Sequence, residues 1–281
     1  MTTTSGPDVP AAGGDPAARF LALHVPGRPL LMANAWDRGS ARLLDSLGFP
    51  ALATTSSGFA ATLGRLDGHV TLDEALEHSR ALVEAVDVPV SADLEDGYVA
   101  DPAGVAATVT AAVATGLAGC SIEDYAGRGE DVIYDRGLAI ERVAAAAEAA
   151  HAGSRRLVLT ARAENHLHGR DDVDDTIARL LAYQDAGADV LYAPRLDEPD
   201  ALRRLLAEVD RPVNVLVRPG APTVPELAEL GVARISVGGA FAFAALGAVV
   251  EAARELLDRG TTGYGARAAA GRAAVDAPFS R

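Results

Sequence analysis

The sequence predicts an α/β protein built as a (β/α)8 TIM barrel, a single domain with a C-terminal helical arm. Three observations carry this reading. Short apolar or β-branched runs recur at residues 30–33, 51–55, 88–92, 119–122, 157–161, 189–193, 213–217 and 234–237. Ala- and Leu-rich segments of helical period lie between them, among them 71–86, 102–115, 139–152 and 173–186. No Gly-x-Gly-x-x-Gly follows the first run, where an open doubly wound sheet would carry one. One continuous strand–helix alternation of this length closes into a barrel.

Taken in order, residues 1–16 are rich in Thr, Gly, Pro and Ala and are expected to form a disordered leader, so the barrel is assigned to 17–258. The first helix after a strand stops at Leu47-Gly48-Phe49. Thr71-Leu72-Asp73-Glu74 has the spacing of a capping box, and Asp87-Val88-Pro89 leads into the third strand. Ala186-Gly187-Ala188 and Leu230-Gly231-Val232 punctuate the sixth and eighth strands in the same way. Thr223-Val224-Pro225-Glu226 joins a second capping box to a first-turn proline. Residues 259–281 form a tail or arm: a docked helix, an oligomer arm and partial disorder all fit its Gly- and Ala-rich composition.

The chain has 281 residues, 49% of them hydrophobic, enough for a sizeable core. A net charge of -14 argues against nucleic acid and against an anionic membrane surface as partners. All 25 basic residues are arginine. Without a lysine there is no Schiff base, so PLP chemistry is excluded, as is a lysine phosphate loop; the missing glycine fingerprint speaks against NAD. The single cysteine, Cys120, sits in an apolar strand and reads as a small buried hydrophobe. No apolar stretch reaches membrane-span length and no secretory signal pattern opens the chain, so a cytoplasmic location is the default expectation.

Two acidic stretches stand where buried strands end: Asp93-Leu94-Glu95-Asp96-Gly97-Tyr98 and Glu123-Asp124. Clustered carboxylates there are costly to desolvate unless a cation or hydrogen bonds compensate them. Oxygen ligands of this kind suit Mg2+, with Mn2+ possible, better than zinc. Other polar groups at predicted strand ends are Asn34, Trp36, Ser57, Gly58, Arg162, Glu164, Tyr192, Asn214, Arg218 and Ser236, with Arg65 and Asp67 in the second loop. His166 and His168 read as solvated loop histidines, and Glu141-Arg142 and Arg203-Arg204 as solvated helix faces.

Ser57-Gly58, Leu63-Gly64-Arg65-Leu66-Asp67, the 93–98 motif, Ile122-Glu123-Asp124 and Thr160-Ala161-Arg162 together resemble the isocitrate lyase/phosphoenolpyruvate mutase superfamily, from about residue 30 to 257. The resemblance implies a Mg2+-dependent lyase or mutase-type enzyme. Such an enzyme makes or breaks a C–C or phosphorus–carbon bond in a small 2-oxo acid or dicarboxylate through a metal-stabilised enolate. It implies Asp93, Glu95 and Glu123 at the metal, Glu95 standing where the family has a second Asp. It implies Ser57 and Gly58, with Trp36, Asn214 and Arg162, at the carboxylate substrate, and Arg162 and Asp67 in catalysis. A homo-oligomer, dimer or tetramer, is expected from the resemblance and from the apolar 241–250 segment.

The loop at 125–131 lacks the Cys, His and Lys of the lyase branch and the Asn of the mutase branch. A proton donor would then be Tyr125, Glu130 or Tyr134. Alternatives are a hydrolase or decarboxylase acting on oxaloacetate or phosphonopyruvate, a sugar-phosphate barrel using Ser236-Val237-Gly238-Gly239, or a catalytically idle relative.

Overall fold

The computed structural model describes residues 15–127 and 133–280. Its strands are β1 (Leu30–Ala35), β2 (Leu52–Thr54), β3 (Val90–Asp93), β4 (Gly119–Glu123), β5 (Val158–Arg162), β6 (Val190–Tyr192), β7 (Val213–Leu216) and β8 (Arg234–Ser236). They pair in parallel and in chain order, and β8 closes onto β1. All eight predicted runs are therefore strands of one closed barrel. The helices are α1 (Pro16–Ala22), α2 (Arg38–Ser46), α3 (Ser56–Thr62), α4 (Leu72–Val83), α5 (Pro102–Val113), α6 (Arg136–His151), α7 (Val173–Asp185), α8 (Pro199–Glu208), α9 (Val224–Leu230), α10 (Ala240–Arg259) and α11 (Gly265–Phe279).

Both predicted capping boxes form. Thr71 N donates to Glu74 Oε2 at 2.9 Å, and Thr223 N to Glu226 Oε2 at 2.7 Å. Of the expected leader, residues 1–14 lie outside the described residues, while Asp15 caps α1 and Pro16 opens it.

Strand alternation divides the barrel into two environments. Outward residues such as Leu52, Val90, Ile122, Leu159 and Leu191 join the helices in the main core. Inward residues near the strand starts form a second cluster of Leu30, Met32, Ala53, Val158 and Val190, closed from below by Phe20 of α1. Gly119 permits that seal, since a Cβ there would stand 2.8 Å from the Phe20 ring and from the Val158 carbonyl oxygen. Above this apolar layer the inward positions turn polar, and they carry the site. Cys120 is free and buried on the outward side, its thiol pushed up to about 12 by desolvation and by Asp189.

One residue departs from expectation. Arg142, read as part of a solvated helix face, is 1% exposed. It donates to the carbonyls of Asp96, Val99 and Ala100 and lies 4.2 Å over the Tyr134 ring, so it anchors the loop that follows β3. The signal was weak because an Ala-rich helix buries little contrast on either face. At the end of the chain, α10 carries Phe243, Leu246 and Val249 at 52, 46 and 63% exposure, with Ala242 its buried residue. The start of the helix packs against the barrel, with Ala242 beside Gly58, and the outward Leu31 of β1 is left 41% exposed.

Candidate active site

The last residues of β3, β4 and β5 meet at the C-terminal mouth of the barrel. Arg162 reaches across it. Its Nη1 lies 2.9 Å from Asp93 Oδ1 and 3.1 Å from Glu123 Oε2, and its Nε lies 2.9 Å from Glu164 Oε1. Three acids share one guanidinium. Burial opposes the charge on Arg162, yet Glu123, Glu164 and Asp93 hold it protonated well above its ordinary value. Burial likewise pushes the Glu123 and Glu164 carboxyls upward, with Arg162 pulling the other way.

Each acid is held by its neighbours. Ser56, at the start of α3, donates to Asp93 Oδ2 through its hydroxyl at 3.0 Å, and Thr54 Oγ1 accepts from Asp93 N at 2.8 Å. Glu95 has φ 49° and Tyr98 φ 66°, left-handed values that side chains rarely adopt. That backbone folds the loop back over the mouth and turns Glu95 among other acids. Desolvation first, then Asp93, Asp67 and Asp96, push its carboxyl up to about 8. Its Oε1 is buried without a hydrogen-bond partner. Asp67 lines the same mouth, raised by partial desolvation and by Asp93.

As they lie, no three His, Cys, Asp or Glu side chains among the described residues form a ready metal-ligand cluster. Arg162 Nη1 stands at the point between Asp93 and Glu123. The donor chemistry nonetheless fits a hard divalent cation. All candidates offer carboxylate oxygens, burial and then the neighbouring acids raise Glu95, and one buried oxygen lacks a partner. Asp93, Glu95 and Glu123 are the residues that would hold it.

Other predicted residues are placed unequally. Ser57 lines the inner cavity of about 190 Å3, together with Arg162 and Asn214. Gly58 turns its N–H to Thr55 Oγ1 at 3.3 Å, a helix cap. A Cβ there would stand 2.6 Å from Thr55 Cγ2 and 3.1 Å from Trp36 Cβ, so Gly58 serves packing in this structure. Trp36 is half-buried beside it and lines neither this cavity nor the outer one. Tyr125 lines an outer cavity of about 590 Å3, stacked on His168 with ring centroids 3.8 Å apart. Tyr134 donates to Asp96 Oδ2 at 3.0 Å, and Glu130 lies outside the described residues. Asp124 faces away from the mouth: it accepts from Tyr183 at 2.6 Å, Arg179 at 3.1 Å and Glu164 N at 2.8 Å.

Sequence reasoning undervalued His168, Ser56, Glu164 and Tyr98. Only the Asp-x-Glu-Asp-Gly-Tyr motif gave a sign of the last. Two backbone donors of the sugar-phosphate reading are already taken, because Val237 N and Gly238 N both donate to Asn34 Oδ1, at 3.2 and 2.9 Å.

The family model described as phosphoenolpyruvate phosphomutase matches residues 20–257. The chain belongs to the phosphoenolpyruvate mutase family. Among its relatives, an uncharacterised protein of Mycobacterium tuberculosis is 36% identical over 240 residues, covering 85% of this chain and 89% of that one. An oxaloacetate decarboxylase of Chromohalobacter salexigens is 31% identical, covering 85% of this chain and 84% of the relative. A lyase/mutase-like protein from Burkholderia cenocepacia J2315 shares the fold with a TM-score of 0.85 at 50% identity, covering 89% of this chain and 90% of that one. The superfamily's enzymes act on small carboxylate or phosphonate substrates, and this chain has the closed parallel barrel of its members.

Proposed function

We propose that the chain is a divalent-metal-dependent lyase that breaks or makes a C–C bond in a small 2-oxo acid or dicarboxylate, with Mg2+ as its ion and Mn2+ as a substitute. The observation that carries this reading is the convergence of Asp93, Glu123 and Arg162 at one point beside Glu95. Held by Asp93, Glu95 and Glu123, an ion would stabilise negative charge building on the 2-oxo oxygen as a bond at C3 breaks.

The protein's own groups then have separate tasks. Arg162 offers a preorganised guanidinium to the same developing charge. Ser56 fixes the Asp93 carboxylate, and the Ser57 hydroxyl faces the cavity where a substrate carboxylate would lie. Asp67 lines both cavities, where a carboxylate could serve a reacting substrate as a proton acceptor. Tyr125 and His168 wall the outer cavity, the side from which a proton donor would approach.

A decarboxylase acting on oxaloacetate is the second reading. It is favoured by the loop after β4, which lacks the Cys, His and Lys that a lyase branch uses for proton transfer, and by the oxaloacetate decarboxylase relative. Self-association is part of the proposal and is supported by the exposed apolar residues of α10.

Turnover of 2-methylisocitrate, 2,3-dimethylmalate, oxaloacetate and phosphonopyruvate, with Mg2+ and with EDTA, tests the reading. Metal-dependent cleavage of a 2-oxo acid or its aldol-type precursor is expected. Equal turnover in EDTA overturns it.

A further inference from the structure

The row of residues that forms the rim continues below it. Register pairs Glu123 with Arg162, Arg162 with Tyr192, Tyr192 with Asn214, and Asn214 with Arg234. Residues in register share a face of the sheet, so all five side chains point into the lumen. Barrel strands are tilted and staggered, so such a row winds along the axis. It uses the last residues of β4, β5 and β6, an early residue of β7 and the first of β8. The row therefore descends from the acidic mouth to the floor, where it ends on a second buried arginine.

Arg234 is 3% exposed and keeps different company from Arg162. Its Nε donates to Asn214 Oδ1 at 2.9 Å and its Nη2 to Thr160 Oγ1 at 3.1 Å. Its Nη1 faces His24 Nε2 at 3.3 Å. His24 is neutral, lowered to about 3 by burial and by Arg234, and its Nδ1 bonds the Phe20 carbonyl, which leaves Nε2 as the acceptor. All these partners are uncharged, and they use three of the five N–H bonds a guanidinium carries. No carboxylate pairs with Arg234 among the described residues. A buried charge without a counter-ion is costly to desolvate, and an anionic ligand would offset that cost.

The surroundings fit such a ligand. Because Asn214 Oδ1 is taken by Arg234, its Nδ2 is turned to Ser236 Oγ at 2.9 Å, and Ser236 is hydrogen-bonded to Tyr192. The inner cavity thus has acids, Asp67 and Asp93, at its rim and N–H and O–H donors at its floor. Thr160, which Arg234 touches, precedes Arg162 by two residues, roughly 6.6 Å along a strand. The floor guanidinium is within reach of a four-carbon diacid held by its other end at the rim.

We propose that Arg234, with Asn214, forms an anion subsite on the barrel floor that takes the second carboxylate of the substrate and selects 2-oxo diacids over 2-oxo monoacids. The assignment rests on the reading of the rim as the site of a 2-oxo acid.

Calorimetry with Mg2+ and three probes tests it: oxalate, which reaches only the rim, pyruvate, and the non-cleaving diacid 3,3-difluorooxaloacetate. Wild type is expected to favour the diacid over pyruvate by on the order of 30-fold, and Arg234→Met to reduce that ratio to within about threefold. Oxalate should bind both proteins alike, and Arg234→Lys should keep most of the preference. If Arg234→Met folds poorly, Arg234→Gln carries the same expectation. A diacid preference that survives neutralisation of Arg234 overturns the subsite. Succinate without metal separates this from failure of the rim reading. Succinate binding that requires Arg234 in a protein indifferent to Mg2+ keeps the floor and rejects the rim, whereas no binding of any diacid rejects the floor.

Discussion

The carboxylates of Asp93 and Glu123, from neighbouring strands, point at the same position: Oδ1 of the first and Oε2 of the second lie 2.9 and 3.1 Å from a single nitrogen, Nη1 of Arg162. Parity and register explain it together: Asp93 pairs with Ser121, two residues before Glu123 on the same inward face of β4, and Glu123 pairs with Arg162 at the end of β5. The guanidinium holds together acids that would otherwise repel.

Removing that guanidinium should therefore cost stability, and a divalent ion should return it. Arg162→Met leaves Asp93, Glu123 and Glu164 buried without their shared cation, a loss of about 3–5 kcal/mol. Denaturant unfolding with and without Mg2+ checks this. A larger Mg2+ stabilisation in the variant than in wild type is expected, with turnover lost in both conditions.

Asp93→Asn and Glu123→Gln preserve shape and remove charge. Each should lower kcat by about 10²–10³ on whichever substrate is turned over, as removal of a preorganised electrostatic group does. Steady-state kinetics across a range of Mg2+ concentrations provides the check, and an unchanged kcat in either variant contradicts the assigned roles.

Acid should destabilise the fold through two buried histidines. His24 is lowered to about 3 by burial and by the charge of Arg234, and His78 to about 4 chiefly by burial against Phe59. In the unfolded chain both take up protons near 6.5. Their stabilising effect is present above that value and is lost as pH falls through the window down to about 3 to 4, at up to about 1.4 kcal/mol per pH unit for each proton. Urea melts between pH 4 and 7 should show this slope, and His24→Gln should flatten part of it.

The outer face of α10 carries Phe243 and Val249 at 52 and 63% exposure. Such a stripe on a 20-residue helix is expected to be covered by another copy of the chain. Light scattering should give a dimer or tetramer, and Phe243→Glu combined with Val249→Glu should shift it toward monomer. Wild type that is monomeric at micromolar concentration contradicts this expectation.

Much of this was legible in the sequence because the barrel strands carry apolar outward residues and are bounded by caps. The run at 157–161 became β5 at Val158–Arg162, a shift of one residue, and parity along each strand put Asp93, Glu123 and Arg162 inside. What could not be read depends on long-range placement. Arg234 begins its strand as Arg-Ile-Ser, which reads as an exposed strand start, and only the stagger of the closed barrel turns it into the floor of the lumen. His168 gains its place by stacking on Tyr125 from a different loop.

The acids at the mouth are expected to hold one hard cation. Calorimetric titration of Mn2+ into the metal-stripped protein should give one ion per chain, displaced by Mg2+ and lost in Asp93→Asn. Heat indistinguishable from buffer, or binding that survives in Asp93→Asn and Glu123→Gln alike, would contradict it.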